Sequence, residues 1–358
     1  MKINAIWILC VFILAISCET KKDPAVDSAL TQKLDSLFNT VSDFSGVALV
    51  ADQGVPVYHK AFGYRNFETR ESLDPNSVFE LASVSKQFTS MIVMMLKEEG
   101  KLDYDDALEK YIPGLPYAGI TIRHLLNHTS GLPDYQSIMD QYWDKTKVAG
   151  NADNIAYLIK YKPTKNFEPG EKYEYSNTGY MLLASIAEKA TGSNFIELCR
   201  DRIFTPLKMT STDIRTKSEK LTLENVAWGY LYVEEKQRYI HADSFPAFNY
   251  TIWLGNRVGP GRVSSAAADL LKWDQALYTE KLVKQTTLAE AFTPARLNND
   301  SLSNYGFGWS IGWHPQLGKV VHHSGDNPGY KTHIFRYIEV NKTVILLSNN
   351  GHAKYDEL

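Results

Sequence analysis

Cysteine is scarce in this chain: three residues in 358, at positions 10, 18 and 199. That number excludes a disulfide-stapled scaffold. An excess of one charge is lacking too, with Lys and Arg totalling 38 against 41 Asp and Glu, a net charge of −3. Such a balance gives no broad basic surface, so nucleic acid is not expected as a partner. Long apolar runs are also missing. The longest, Ala5–Ile16, is too short to span a bilayer comfortably. There are no internal repeats and no low-complexity segments, which argues against a solenoid or a disordered linker protein. What the chain does have is core material. Apolar residues make up 44% and charged residues 22%, with 7 Trp, 21 Tyr and 15 Phe. This is the composition of an ordinary globular protein, at a length suited to one large domain or two.

The start of the chain reads separately from the rest. Lys2 precedes the apolar run, the run has the length of a signal-peptide core, and "AISC" then gives way to polar "ETKKDP". This resembles the lipobox of a bacterial lipoprotein, with Cys18 as the lipidated residue, although Ala15 stands where leucine is usual. The competing reading is a plain secretory signal. The expectation is a signal peptide over 1–17, a lipidated tether over 18–25 and one domain over 26–358. The protein would be exported and held at the cell envelope, on the periplasmic side or at the outer membrane, touching membrane only through its lipid. Cys199, in "FIELCRDRIF", is then the one cysteine left in the domain and reads as a buried small apolar residue.

Within the domain, Val26, Leu30, Leu34, Leu37 and Val41 recur at helical spacing. "SGVALVADQGVPVYHKAFG" follows as two β-type runs around a glycine turn. Near the other end, "YGFGWSIGW", "KVVHHS", "YKTHIFRYI" and "TVILLSN" are short, β-rich and separated by turns such as Asn341-Lys342. Between them the chain is mostly helical. Phe88, Met91, Ile92 and Met95 share one predicted helix face closed by Gly100. "TGYMLLASIAEKATG" ends in glycine, and "SAADLLKWDQAL" follows serines that offer a cap. The predicted fold is α+β: an antiparallel sheet built from about 26–65 and 300–358, flanked by helices, with a large mainly helical insertion over about 66–299. No long helix follows "TVILLSNN" to cover the sheet, so the sequence reads as a piece of a longer chain.

Two serines compete for chemistry. Ser310 lies in "GWSIG", the G-x-S-x-G pattern of a nucleophile elbow, which needs a strand before it and a helix after it. Its flanks "YGF" and "WHP" alternate like a strand, so this match is read as chance. Ser83 has Lys86 three residues on, at the mouth of an apolar helix. That spacing puts hydroxyl and amine on one face. A serine needs a base to become a nucleophile, and a lysine is a base only when burial lowers its pKa. Taken alone the pair also fits a helix start with a solvated lysine. His124 and His128 are four apart, a spacing two zinc ligands use on a helix, but no acidic third ligand accompanies them. His322 and His323 are neighbours on a strand and point to opposite faces. No metal and no cofactor is expected.

Downstream stretches strengthen the Ser83 reading. Tyr175-Ser176-Asn177 precedes a helix, and His323-Ser324-Gly325 closes a strand. With Ser83 and Lys86, in this order, they resemble the S-x-x-K, Y-x-N and H-x-G motifs of the serine β-lactamase and penicillin-binding protein superfamily. The nearest branch is the one containing class C β-lactamases, D-alanyl-D-alanine carboxypeptidases and family VIII esterases. "HLLNHTSGLPDY", "FEPGEKYEYSNTGY", "GRVSSAAADLLKW" and "YGFGW" extend the resemblance over nearly all of the chain from about Asp35. It implies a β-lactamase/transpeptidase-like fold and a hydrolase working through an acyl-enzyme. Ser83 would attack, Lys86 and Tyr175 would shuttle the proton, each lowering the other's pKa, and Asn177 would hold a substrate amide. The amides of Ser83 and Asp326 would form the oxyanion hole, and His323, Ser324 and Gly325 would line the substrate strand. Substrates would be esters, D-amino-acid peptides such as peptidoglycan fragments, or β-lactams. Penicillin-recognising relatives commonly carry lysine where His323 stands, so small uncharged esters are expected to be better substrates than penicillins. The alternative is a non-catalytic peptidoglycan- or ligand-binding protein on the same fold.

Overall fold

The computed structural model describes residues 28–40 and 44–351. The expected signal peptide and the whole tether, Cys18 included, lie outside those residues. No helix among the described residues is long and apolar enough to cross a membrane.

The first helix, α1, spans Ser28–Thr40. The strands β1 (Gly46–Asp52) and β2 (Val55–Phe62) follow as a hairpin. Its tip, Gln53-Gly54, has φ of 50° and 76°. Two left-handed residues in succession suit the twist of a tight hairpin, and the glycine takes that geometry without strain. Far along the chain come β3 (Ser310–His314), β4 (Gly318–Asn327), β5 (Tyr330–Tyr337) and β6 (Lys342–Ser348). All pair antiparallel into one six-stranded sheet of order β3-β4-β5-β6-β1-β2. The two groups of strands join where β6 pairs with β1, with Gly46 opposite Ser348 and Asp52 opposite Lys342.

One sheet face is covered by α1. Phe38, Phe44, Ala48, Tyr58 and Leu346 form a small core there, and Asp35 bonds Tyr58 and Lys60. Leu34 packs on this core as the periodicity expects, but Leu37 does not. Leu37 is 39% exposed and Phe38 is the anchor, because the aromatic ring reaches Phe44 and Phe62 where a leucine would not. Val26 and Val41 fall outside the described residues.

The other face packs on the helical lobe. Its central helix, α2 (Lys86–Glu98), is buried from Lys86 to Leu96. The expected one-sided stripe is therefore too narrow, since a helix hydrophobic all round is an interior helix. The short helix α3 (Ile122–Leu126) and the long α4 (Asn177–Thr191) pack nearby. The helix α5 (Ala267–Ala276) lies on β6 and β1. Its N-cap is Ala266 with no side-chain bond, because the preceding serines are used in a short strand, Val263–Ser265. A buried ion pair between Asp274 of α5 and Arg336 of β5 ties lobe to sheet. Short ribbons at 64–72, 79–80 with 213–214 and 263–265, and 230–241 interrupt the helices. Cys199 is buried and unpaired, and burial pushes its thiol pKa up.

Candidate active site

Ser83 sits in a 3₁₀ turn, Ala82–Ser85, that runs directly into α2. In a 3₁₀ turn residues i and i+3 eclipse, so Lys86 comes to lie over Ser83. Ala82, just before the serine, has φ +48°. A left-handed alanine is strained, and the strain is held by the neighbours of the turn. Gly325 of β4 is one of them. A Cβ there would fall 2.2 Å from the Leu81 carbonyl oxygen and 2.2 Å from Thr332 Oγ1. Only glycine lets this strand lie so close to the turn. Thr332 Oγ1 then donates to the Leu81 carbonyl at 2.8 Å.

Lys86 is fully buried. Its Nζ is 3.0 Å from Ser83 Oγ, 2.9 Å from Asn177 Oδ1 and 2.9 Å from the Pro260 carbonyl. Burial holds the amine's pKa well below the ordinary lysine range, and the Arg257 charge lowers it further. A neutral amine has two N–H groups and a lone pair. The two carbonyl-type acceptors take the N–H groups, which leaves the lone pair for the Ser83 hydroxyl. Asn177 opens α4, whose N-cap Ser176 accepts from the Gly179 amide at 3.2 Å. Pro260 is delivered by a glycine at 259 with φ 107°, whose Cβ would meet the Tyr180 carbonyl at 2.3 Å. "GPG" at 259–261 is the sequence signal for this turn.

Tyr175 leans over the pair, with Lys86 Nζ 4.7 Å from its ring centre. Tyr175 is 40% exposed, and its hydroxyl bonds Ser83. Burial of the hydroxyl raises the phenol pKa, and the bond with Ser83 opposes it only in part. The expectation that lysine and tyrosine each lower the other's pKa is therefore corrected: Lys86 goes down, Tyr175 goes up. Behind Tyr175 lies His128, its ring 4.3 Å away. His128 follows the end of α3 in a left-handed conformation (φ 61°). It cannot share a helix face with His124, whose Nδ1 accepts from the Thr121 amide in a capping box. His128 Nδ1 accepts from the Ser176 amide at 3.1 Å, which positions the segment carrying Tyr175. Among the described residues no group of three His, Cys, Asp or Glu side chains could hold a metal ion.

Ser83, Asn177 and Asp326 line one cavity, together with Arg257, Tyr250 and Pro260. The Asp326 carboxylate is turned to solvent and pairs with Lys331, so its side chain is not the group presented to a reacting carbonyl. Ser324 is exposed and does not line this cavity. His323 departs furthest from expectation. It is 4% exposed, its Nε2 is 2.8 Å from the Tyr305 hydroxyl and its Nδ1 is 2.6 Å from the Ser324 carbonyl. Burial and the nearby Lys86 push its pKa down to about 3. The ring is neutral, donates through Nδ1 and accepts through Nε2, so both nitrogens are occupied within the protein. His323 supports the strand and leaves substrate contact to others. Ser310, the competing serine, opens the edge strand β3 and is followed by a turn and β4, with no helix. The elbow reading fails on that geometry.

An antiparallel sheet closed by both ends of the chain, with a hydroxyl and a buried amine paired at its junction with a helical lobe, is the architecture of a serine hydrolase. Residues 34–358 match the beta-lactamase family model. The chain belongs to the beta-lactamase family. It is 42% identical over 322 residues to a penicillin-binding protein of Bacillus subtilis (strain 168), covering 88% of this chain and 71% of that one. Among solved structures, the octameric penicillin-binding protein homologue from Pyrococcus abyssi superposes with a TM-score of 0.77 at 28% identity, covering 89% of this chain and 73% of that one. The D-amino acid amidase from Ochrobactrum anthropi, complexed with L-phenylalanine amide, gives 0.73 at 26% identity, covering 91% of each chain.

Proposed function

We propose that this serine hydrolase cleaves amide or ester bonds of D-amino-acid-containing peptides through an acyl-enzyme on Ser83. The observation that carries the reading is the Lys86 amine, buried with no carboxylate partner among the described residues and 3.0 Å from Ser83 Oγ. Ser83 Oγ attacks the substrate carbonyl carbon while Lys86 Nζ takes its proton. The carbonyl electrons move onto oxygen, where the amides of Ser83 and Asp326 are the proposed donors. Collapse breaks the bond to the leaving group, which receives the proton from Lys86 by way of the Tyr175 hydroxyl. Tyr175 suits this relay because its raised pKa keeps it a protonated donor. Water then attacks the acyl carbon, gives its proton to the same pair and frees Ser83.

Likeness to a D-amino acid amidase supports the substrate class. A fluorophosphonate or labelled penicillin, followed by peptide mapping, tests the nucleophile. Label on Ser83, lost in Ser83→Ala along with about 10⁴-fold or more of the activity, is the expected result. Near-native turnover by Ser83→Ala refutes it, and a native protein that never labels returns the non-catalytic binding reading.

The envelope location belongs to the same proposal. It rests on the run Ala5–Ile16 followed by Cys18. The native protein is expected to partition into detergent and Cys18→Ser to stay unprocessed or soluble. A native N-terminus without lipid would count against the anchor.

A further inference from the structure

A second cavity adjoins the one that holds Ser83, and Glu80, Tyr250, Arg257 and Asn327 line both. Four cations face the second cavity, Lys217, Lys220, Arg257 and Arg262, against two carboxylates, Glu80 and Asp243. Both carboxylates are already taken. Lys220 pairs with Glu80 and Asn327 Nδ2 donates to it at 2.7 Å; Lys217 pairs with Asp243 at 2.6 Å. Among the described residues neither Arg257 nor Arg262 has a carboxylate within 4.0 Å. Arg262 is 8% exposed. Arg257 makes one hydrogen bond, from Nη1 to the Tyr135 hydroxyl at 2.6 Å, and its Nε is buried with no partner. Its Nη2 lies beside Gly261, 3.5 Å from where a Cβ would stand, and that position is 3.7 Å from the carbonyl of Ala82, the residue before Ser83. The Glu80 charge reaches both arginines at longer range, but Lys220 shares it, so the cations facing this cavity outnumber its anions.

We infer that this cavity is an anion subsite: Arg257, backed by Arg262, receives a carboxylate carried on the acyl part of the substrate while Ser83 engages its carbonyl. The inference rests on the hydrolase reading above. It also relocates the charge recognition that sequence alone assigned to the strand position of His323. A guanidinium with a rigid fork of free donors suits a carboxylate better than a tethered ammonium does. The preferred substrates are then anionic acyl donors, such as peptides with an acidic residue at the cleaved bond.

The test compares the nitrophenyl hemiester of glutaric acid with its methyl ester, which replaces the carboxylate by an uncharged ester one methyl group larger. The native protein is expected to favour the hemiester in kcat/KM. Arg257→Met is expected to cut that preference by about 10- to 100-fold, the range for a lost hydrogen bond to a charged group, with Arg257→Lys between the two. Taking the ratio cancels any effect of Arg257 on Lys86, which both esters share. An unchanged ratio overturns the subsite even if both rates fall. Binding reads it independently of turnover. Ser83→Ala, titrated calorimetrically with glutaranilic acid and its methyl ester, is expected to bind the acid at least about tenfold more tightly, and to lose the difference when Arg257→Met is added. Equal binding overturns the subsite. If the native protein hydrolyses neither ester while this binding difference holds, the hydrolase reading fails and the subsite stands.

Discussion

Gly325→Ala is the sharpest test of how the site is assembled. The backbone at Gly325 is outside the left-handed region, so the new methyl group matters only through what it meets. It would fall 2.2 Å from both the Leu81 carbonyl oxygen and Thr332 Oγ1, whereas ordinary contact begins near 3.4 Å. Relief requires β4 to retreat from the Ser83 turn by about 1 Å, and the Thr332–Leu81 bond is disturbed as it does. Overpacking of this kind costs about 1–3 kcal/mol of stability, more than the ~0.4–1 kcal/mol that replacing a glycine recovers from the unfolded chain. A displacement of about 1 Å between the serine and the strand facing it is expected to lower kcat/KM by about 10²-fold, or ~2.7 kcal/mol of barrier. A chromogenic ester assay beside a urea-unfolding curve measures both. Activity within threefold of native at unchanged stability would refute the close-approach argument.

Two further outcomes follow from the buried bases. Lys86 must be neutral to take the Ser83 proton, so kcat/KM is expected to rise with pH along an acid limb lying well below the ordinary lysine value of about 10.4; Lys86→Arg, which stays charged, is expected to lose about 10³-fold or more, and a limb at the ordinary value would contradict the assignment. His323 is buried and His333 half-buried, and desolvation takes both pKa values down to about 3, whereas an unfolded imidazole takes its proton near 6.5. The unfolded state therefore binds more protons between those values. Stability is full above about pH 6.5 and falls below it, by up to ~1.4 kcal/mol per pH unit for each ring. Urea unfolding from pH 7.5 to 4.5 is expected to show this slope and a shallower one in His323→Gln; equal slopes would contradict it.

Much of the architecture was legible in the sequence because it rests on local signals. Alternating runs and turn residues marked both halves of the sheet, and the gap between them marked the helical lobe. The S-x-x-K spacing was readable for the same reason, since a single turn fixes both side chains. Buried tertiary surroundings were not readable. No local pattern says that α2 is enclosed on every side, that Phe38 displaces Leu37 as the anchor of α1, or that His323 turns inward onto Tyr305. Arg257 was missed for a related reason. It is remote in sequence from every motif, and its meaning comes from the absence of a carboxylate beside it, which only the packed structure displays.

The closure of the sheet by both ends of the chain sets an order of events in time. β1 emerges from the ribosome early, yet its partner β6 lies some three hundred residues later, Gly46 against Ser348. A loop of that length is entropically expensive to close and closes only when β6 exists. Until then Gly325 and Thr332 have no framework from which to press on the turn at Leu81–Ser83. A growing chain carries Ser83 and Lys86 long before it carries a site. Hydrolytic competence is therefore delayed until β6 has been made, so a chain cut short before that strand is expected to be inert toward esters and amides without needing an inhibitor to silence it.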